Sequence, residues 1–241
     1  MSRQAVTDPR SRGRKSHSTD ESSVLCGSTF GHRHHRPGKD HIVRRLVTNT
    51  FITLDGVLQS PGGPEEDPEH FTAGGWSVPH WDEAMGEVMA GYMESFALVL
   101  GRRTYDLMAA YWPTAPDHEQ PDTMNNARKY VVSRGRPTLT WQHAELLDGD
   151  PVNSLTALKQ TDGPELQVHG SGDLLQTLLQ HPGLVDELRI WTFPVLVGSG
   201  KRMFADRETP TDLRLVRSRT FDTGVVHSVY RPTGAFSAGA F

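Results

Sequence analysis

Cysteine, long apolar runs and basic excess are all scarce in this chain of 241 residues, and each shortage excludes something. The single cysteine, Cys26, rules out an intrachain disulfide and fits a reducing compartment. No apolar stretch approaches the ~20 residues that cross a bilayer. The N-terminus lacks the apolar core of a secretory signal, so the expected location is cytoplasmic. A net charge of −4 argues against nucleic acid as a partner, because phosphate-backbone binding wants a basic face. It leaves room for a local basic pocket that holds a small anion. Familiar catalytic signatures are missing as well. There is no Gly-x-Ser-x-Gly elbow, and Gly198-Ser199-Gly200-Lys201 is too short for a phosphate-binding P-loop and reads as a turn between strands. Cys26, His32, His34 and His35 fit no familiar zinc spacing, so no metal is expected.

What is present divides the chain in three. Residues 1–43 are rich in Ser, Arg, His and Gly and hold almost no large apolar side chains, which predicts a disordered tail. From Arg44 the texture changes, and one folded domain is expected over 44–232, followed by a flexible tail over 233–241. Arg44 to Ile52 is β-prone and reads as a first strand. A long turn-rich loop follows, from Leu54-Asp55-Gly56 to Gly74-Gly75-Trp76; loops of such length in compact domains are usually functional. Trp81, Met85, Val88, Met89, Tyr92 and Phe96 recur at helical spacing, predicting an amphipathic helix from about His80. Ala97 to Gly101 is a short buried strand that runs into a helix at Arg102. Lys129 to Arg134 is a strand, Val152 to Gln160 a helix, and Glu165 to His169 a strand. Gly170-Ser171-Gly172 then opens a helix over Asp173 to Gln180. Leu184 to Leu196 reads as a long strand, and Leu213 to Phe221 with Val225 to Tyr230 as a β-hairpin. The alternation predicts an α/β fold, with a central, mostly parallel mixed sheet flanked by helices and a C-terminal antiparallel hairpin.

In open α/β sheets ligands bind outside the carboxyl ends of the strands, where loops meet helix N-termini. Three such junctions are chemically alike: Gly101-Arg102-Arg103-Thr104, Ser133-Arg134 and Gly170-Ser171-Gly172. Arg102 and Arg103 lie in the opening turn of a helix, where the dipole disfavours cations, and a local rule broken this way points to an anion. The other reading is a solvated Arg pair with Thr104 as an ordinary helix cap. Gly170 and Gly172 would let a backbone approach a pyrophosphate closely, or Ser171 is simply an N-cap. Arg134 at a strand end could pair bidentately with a 2′-phosphate.

In order along 44–232, several segments resemble the RibD C-terminal family, the reductase domain of riboflavin biosynthesis, which shares the dihydrofolate reductase fold. They are Thr53-Leu54-Asp55-Gly56-Val57, Leu100-Gly101-Arg102-Arg103-Thr104-Tyr105, Lys129 to Ser133, His169 to Leu174, Leu184 to Leu188, and Pro194 to Phe204. The resemblance implies NADPH as hydride donor and a small pyrimidine- or pterin-like substrate, similar to 5-amino-6-(5-phosphoribosylamino)uracil. Gly101, Arg102, Arg103, Thr104, Gly170, Ser171 and Gly172 would hold the cofactor's phosphates, and Ser133 and Arg134 would face the adenosine phosphate. Asp55 and Gly56 would cover the nicotinamide, and Trp76 would wall the substrate side. Asp82 or Glu83 takes roughly the place of the family's proton-donating carboxylate, although both also suit the first turn of a helix. The family further suggests a homodimer. The His-x-Glu and Pro-Cys-x-x-Cys of a zinc deaminase are absent, so the deamination step is not expected of this chain. A non-catalytic NADP-binding module and a dihydrofolate reductase proper are the alternatives.

Overall fold

The computed structural model describes residues 43–119, 121–204 and 210–239. The expected disordered tail, including Cys26 and the three histidines weighed for zinc, lies outside the described residues apart from Val43.

Eight strands form one sheet: β1 Leu46–Thr53, β2 Phe96–Gly101, β3 Arg128–Val132, β4 Ala144–Leu147, β5 Glu165–His169, β6 Glu187–Phe193, β7 Thr211–Thr220 and β8 Val226–Ala235. Their spatial order is β4-β3-β2-β5-β1-β6-β8-β7. All pairs from β4 to β6 are parallel, and β8 and β7 close the edge antiparallel. Parallel pairing needs crossovers, supplied here by α1 Glu83–Tyr92, α2 Arg102–Tyr111, α3 Pro121–Asn126, α4 Pro151–Lys159 and α5 Gly172–Leu179. Strand alternation sorts the core. Leu46, Val99, Val168 and Ile190 face α4 and α5. Leu98, Leu100 and Val131 face α2 and α3, while Phe51, Trp191 and Phe193 face α1.

The element boundaries depart from sequence expectation where local chemistry competes. The first helix starts at Glu83 rather than His80, because the Asp82 carboxylate accepts from the Met85 N–H at 2.8 Å and caps it. Phe96 leaves the helical stripe and begins β2. β3 stops at Val132, and Ser133 turns the chain by accepting from the Gly135 N–H at 3.2 Å. The long strand expected over 184–196 shrinks to Glu187–Phe193, bounded by Pro194. β8 runs to Ala235, past the expected start of the tail, because it pairs with β7 as far as Thr211. Two elements carry no strong sequence signal: the short β4, and α3, which is built from poor helix formers.

Between the α1 and α2–α3 patches runs a buried polar strip. Glu165, Gln167 and His169 alternate along β5. His169 Nε2 lies 3.0 Å from Gln167 Oε1, and Gln167 Nε2 donates to Tyr92 O at 2.7 Å. Glu165 accepts twice from Arg189, whose guanidinium also donates to Glu187 and lies over the Tyr92 ring. Buried charges persist only when paired in this way.

Lys129 has no carboxylate partner among the described residues. It is wholly buried on β3, with one hydrogen bond to Asn125 O at 2.5 Å and its Nζ 4.1 Å from the centre of the Trp141 ring. Loss of hydration pulls its pKa down to about 8. Between that value and the unfolded lysine's ~10.4 the unfolded chain holds a proton that the folded chain has released, so stability rises with pH across the window. Below it the folded state carries the full cost of the buried cation. Lys129→Met should therefore raise the thermal midpoint at pH 7 and flatten its rise between pH 8 and 10, as read by circular dichroism.

Candidate active site at the carboxyl rim of the sheet

Because β3, β2, β5, β1 and β6 are parallel neighbours, the turns that follow them share one edge. Gly101, Thr104, Gly170 and Ser171 are brought into contact there. The Gly101 N–H donates to Ser171 Oγ at 2.8 Å, and Ser171 Oγ in turn lies 3.3 Å from His169 O. A Cβ on Gly101 would come within 3.2 Å of the Ser171 side chain. One on Gly170 would lie 3.4 Å from Thr104 Cγ2, and Gly170 has φ +55°, the left-handed region that glycine tolerates. Ser171, at φ 61° and ψ 59°, holds the same region without that freedom. Such strain in a non-glycine residue persists only where its surroundings enforce it.

Ser171 stands at the N-cap position of α5 but makes no cap bond with its side chain: its backbone is left-handed rather than extended, and its Oγ accepts from Gly101 instead. α2 likewise starts from Gly101 without a side-chain cap. Two helix N-termini therefore open side by side on the rim with first-turn N–H groups unmatched by a capping side chain, an arrangement suited to phosphate oxygens.

The two arginines have found internal anions. Arg102 Nε is 2.7 Å from Asp106 Oδ2, and Arg103 pairs with Asp67, a buried carboxylate that also accepts from Gln59 Nε2 at 2.6 Å. Both guanidiniums thus have a carboxylate partner within the chain, while their side chains stay about half exposed, 45% for Arg102 and 54% for Arg103. Arg134 is exposed and has no ion pair among the described residues. Ser133 and Arg134 follow β3, the strand next to β2, so they lie on the same edge as the two turns.

The remaining sequence candidates play different parts from those expected. The Asp55 carboxylate accepts from Thr53 Oγ1 and from the Gly198 N–H at 2.8 Å, and these contacts, the Thr53 hydroxyl foremost, hold it below the usual carboxylate range. It ties the first loop to the turn after β6. Gly56, at φ +84°, accepts through its carbonyl from Met203 N at 3.1 Å. Trp76 is buried, donates through Nε1 to Gln59 O at 2.8 Å and stands edge-on to Phe193, so it is core rather than an open wall. The carboxylate of Asp82 is engaged as the cap of α1, and Glu83 is exposed. The exposed aromatic that sequence reading passed over is Trp81. Its ring lies 5.7 Å from Phe51 and 6.2 Å from Trp191; its spacing fits the helical stripe, but α1 starts only at Glu83, beyond it. The expected turn at Gly198–Lys201 is present between β6 and β7, with Gly200 packed so closely that a Cβ would lie 2.7 Å from Val57.

A model of the RibD C-terminal domain matches residues 44–227. The chain belongs to that family. It is 30% identical to YyaP of Bacillus subtilis (strain 168), an uncharacterized protein, over 199 residues that cover 79% of this chain and 96% of that protein. In fold it is similar to the Thermotoga maritima diaminohydroxyphosphoribosylaminopyrimidine deaminase/5-amino-6-(5-phosphoribosylamino)uracil reductase. The TM-score is 0.54 at 17% identity, covering 78% of this chain and 56% of that one. Dihydrofolate reductase from Enterococcus faecalis, complexed with NADP(H), matches with a TM-score of 0.50 at 13% identity over 79% of this chain and 97% of that one. The fold is therefore that of dihydrofolate reductase, as the ordered motifs imply.

Two buried histidines make the stability of this sheet face depend on pH. Desolvation, then the Arg189 charge, lowers the pKa of His169 to about 4. Desolvation, then Arg217 and Arg189, does the same for His227, whose ring lies 4.2 Å from Trp191. In both cases the folded chain resists a proton that the unfolded chain accepts at ~6.5. Stability is therefore expected to fall as pH drops from about 6.5 to about 4. His227→Phe should remove part of that slope in urea titrations at a series of pH values.

Proposed function

We propose that the chain is an NADPH-dependent reductase that transfers hydride to a small pyrimidine- or pterin-like heterocycle. The supporting observation is the contact between the turns after β2 and β5, where Gly101, Thr104, Gly170 and Ser171 meet beside two helix N-termini without side-chain caps. The residues present fit a dinucleotide's phosphates. The first turns of α2 and α5 carry no side-chain cap, Gly101 and Gly170 let the two turns pack against Ser171 and Thr104, and Arg134 on the neighbouring turn has no ion pair among the described residues. In this reading Thr104 and the opening turns hold the pyrophosphate and Arg134 pairs with the 2′-phosphate.

Bound NADPH would supply the hydride, reducing an unsaturated carbon of the substrate while water supplies the proton. The chain's own task is to hold the two rings face to face and keep bulk water away. The loop that carries Asp55, Gly56 and Asp67 serves this, pinned at one end to the turn after β6 and at the other to Arg103 on α2. A second reading, an NADP-binding module without turnover, is favoured by one feature: the Asp82 carboxylate is occupied by its capping bond and Glu83 faces solvent, leaving neither placed as a proton donor. The homodimer and the cytoplasmic location are part of the same proposal and rest on the family resemblance and the single cysteine.

Ligand binding stabilises a fold by RT ln(1 + [L]/Kd), so a thermal shift tests the proposal. NADPH should raise the midpoint more than NADH at equal concentration, and Arg134→Ala should shrink that difference. Equal shifts for both nucleotides would remove Arg134 from the 2′-phosphate. NADPH consumption with candidate pyrimidines and pteridines separates the enzyme from the silent module, and dihydrofolate tests the folate reductase alternative.

A further inference from the structure

Glu165, Gln167 and His169 put three polar side chains in a row on one face of β5, a strand flanked on both sides by parallel neighbours, where apolar side chains are the rule. Their hydrogen bonds run in one direction. Gln167 uses both Nε2 hydrogens, on Tyr92 O at 2.7 Å and on Glu165 Oε1 at 3.0 Å. Its Oε1 is the atom left to face His169 Nε2, 3.0 Å away, and an amide oxygen only accepts. His169 Nε2 therefore carries the N–H. The imidazole is neutral at pH 7, because desolvation and then the Arg189 charge lower its pKa to about 4. Nδ1 is thus a bare lone pair, and it has no hydrogen-bond partner among the described residues. The two nitrogens lie on nearly opposite edges of the ring. With Nε2 turned back along the strand to Gln167, Nδ1 is turned toward the carboxyl rim.

The sheet is notched above this ring. β5 ends at His169, level with Asn49 of β1 and one residue past the pairing of Val168 with Val99 of β2. β1 runs on to Thr53, paired there with β6. Beyond His169 the chain bends at Gly170, φ +55°, into α5, whose Leu174, Leu175 and Leu178 pack on the opposite face of the sheet. His169 shares its own face with Gln167, which reaches the last residue of α1. The imidazole accordingly forms the floor of a notch between β1 and the Gly101 turn. The phosphate cradle adjoins it. Ser171 Oγ, which accepts from Gly101 N–H, lies 3.3 Å from His169 O. Only 8% of His169 is exposed, so a ligand group that meets it there is drawn out of water.

We infer that His169 Nδ1 accepts a hydrogen bond from an amide N–H of the ligand bound at the rim, either the nicotinamide carboxamide or a ring lactam of the heterocycle. The inference rests on the reductase reading and adds to it a residue that recognises the ring end of the ligand. Buried polar groups are nearly always paired, and a nearly buried acceptor without a donor is costly. Here Gln167 is fully satisfied and fixes the tautomer and the orientation of the imidazole, so the one acceptor left over is aimed where a ligand would stand. A flat amide supplies the N–H that this acceptor lacks.

Nitrogen-15 NMR of the full chain labelled at histidine tests this, because an imidazole nitrogen moves upfield when its lone pair gains a donor. The Nδ1 resonance of His169 should move upfield on ligand saturation while Nε2 stays. Movement with NADP+ but not with its 3-acetylpyridine analogue, which keeps the carbonyl and lacks the amide N–H, assigns the donor to the carboxamide. Movement only when 5-amino-6-ribosylaminouracil is added to the NADP+-saturated chain assigns it to the heterocycle. His169→Gln, whose amide reaches the place of Nε2, should keep the bond to Gln167 yet bind that ligand about tenfold more weakly in isothermal titration calorimetry. His169→Asn, whose amide takes the place of Nδ1, should retain most of the affinity. A purely structural role ranks the two variants the other way. That reversed ranking would overturn the inference, as would equal movement with NADP+ and its acetylpyridine analogue, or an Nδ1 resonance unmoved through all the additions. Failure of NADP+ itself to bind is a separate result: the reductase reading then falls, and this inference with it.

Discussion

Everything at the rim depends on parallel pairing. When β3, β2, β5, β1 and β6 run the same way in register, their carboxyl ends must lie along one edge, and each chain must leave that edge through a turn. The hydrogen bond from Gly101 N–H to Ser171 Oγ then fixes the two central turns against each other. The Ser171 hydroxyl is turned to Gly101 and the Ser171 backbone is left-handed, so α5 starts without a side-chain cap. One contact thereby both orders the site and gives it its polarity.

The polar strip under α1 and the loop that carries Asp67 belong to the same economy of charge. Arg189 satisfies Glu165 and Glu187 while stacking on Tyr92, and desolvation keeps His169 and His227 neutral near pH 7. Arg217 donates to the Tyr92 hydroxyl and Arg219 lies over the Phe221 ring, so these two cations of β7 are engaged as well. Asp67 does the same for Arg103 from the loop, so the loop and α2 are joined through a buried carboxylate. Arg134 at the rim is exposed and has no ion pair among the described residues.

Much of the architecture was legible because the strands are short apolar runs separated by turn chemistry. β1, β2 and β5 and the helices α2, α4 and α5 lie within a few residues of where periodicity and caps put them. Local competition moved the boundaries, as when Asp82 capped α1 and Ser133 turned the chain. β4 and α3 were missed because neither is stabilised by its own sequence; they form because neighbours supply pairing and packing. The site candidates fared unevenly for a related reason. Glycines and hydroxyls at strand ends were recognisable, since a turn demands them locally. The partners of Arg103, Asp55 and Trp76 lie elsewhere in the chain or were invisible to spacing, and those partners decided what each side chain does.

The sequence by itself determined the alternation of strands and helices, the placement of glycine and hydroxyl residues at strand ends, and family membership, because these are properties of order and local propensity. The tertiary structure alone decided which of the charged and aromatic residues remain available at the rim. Availability depends on whether a partner from a distant segment has been brought within hydrogen-bonding or stacking distance, and only the folded chain brings Asp67 to Arg103, Gly198 to Asp55 and Phe51 to Trp81.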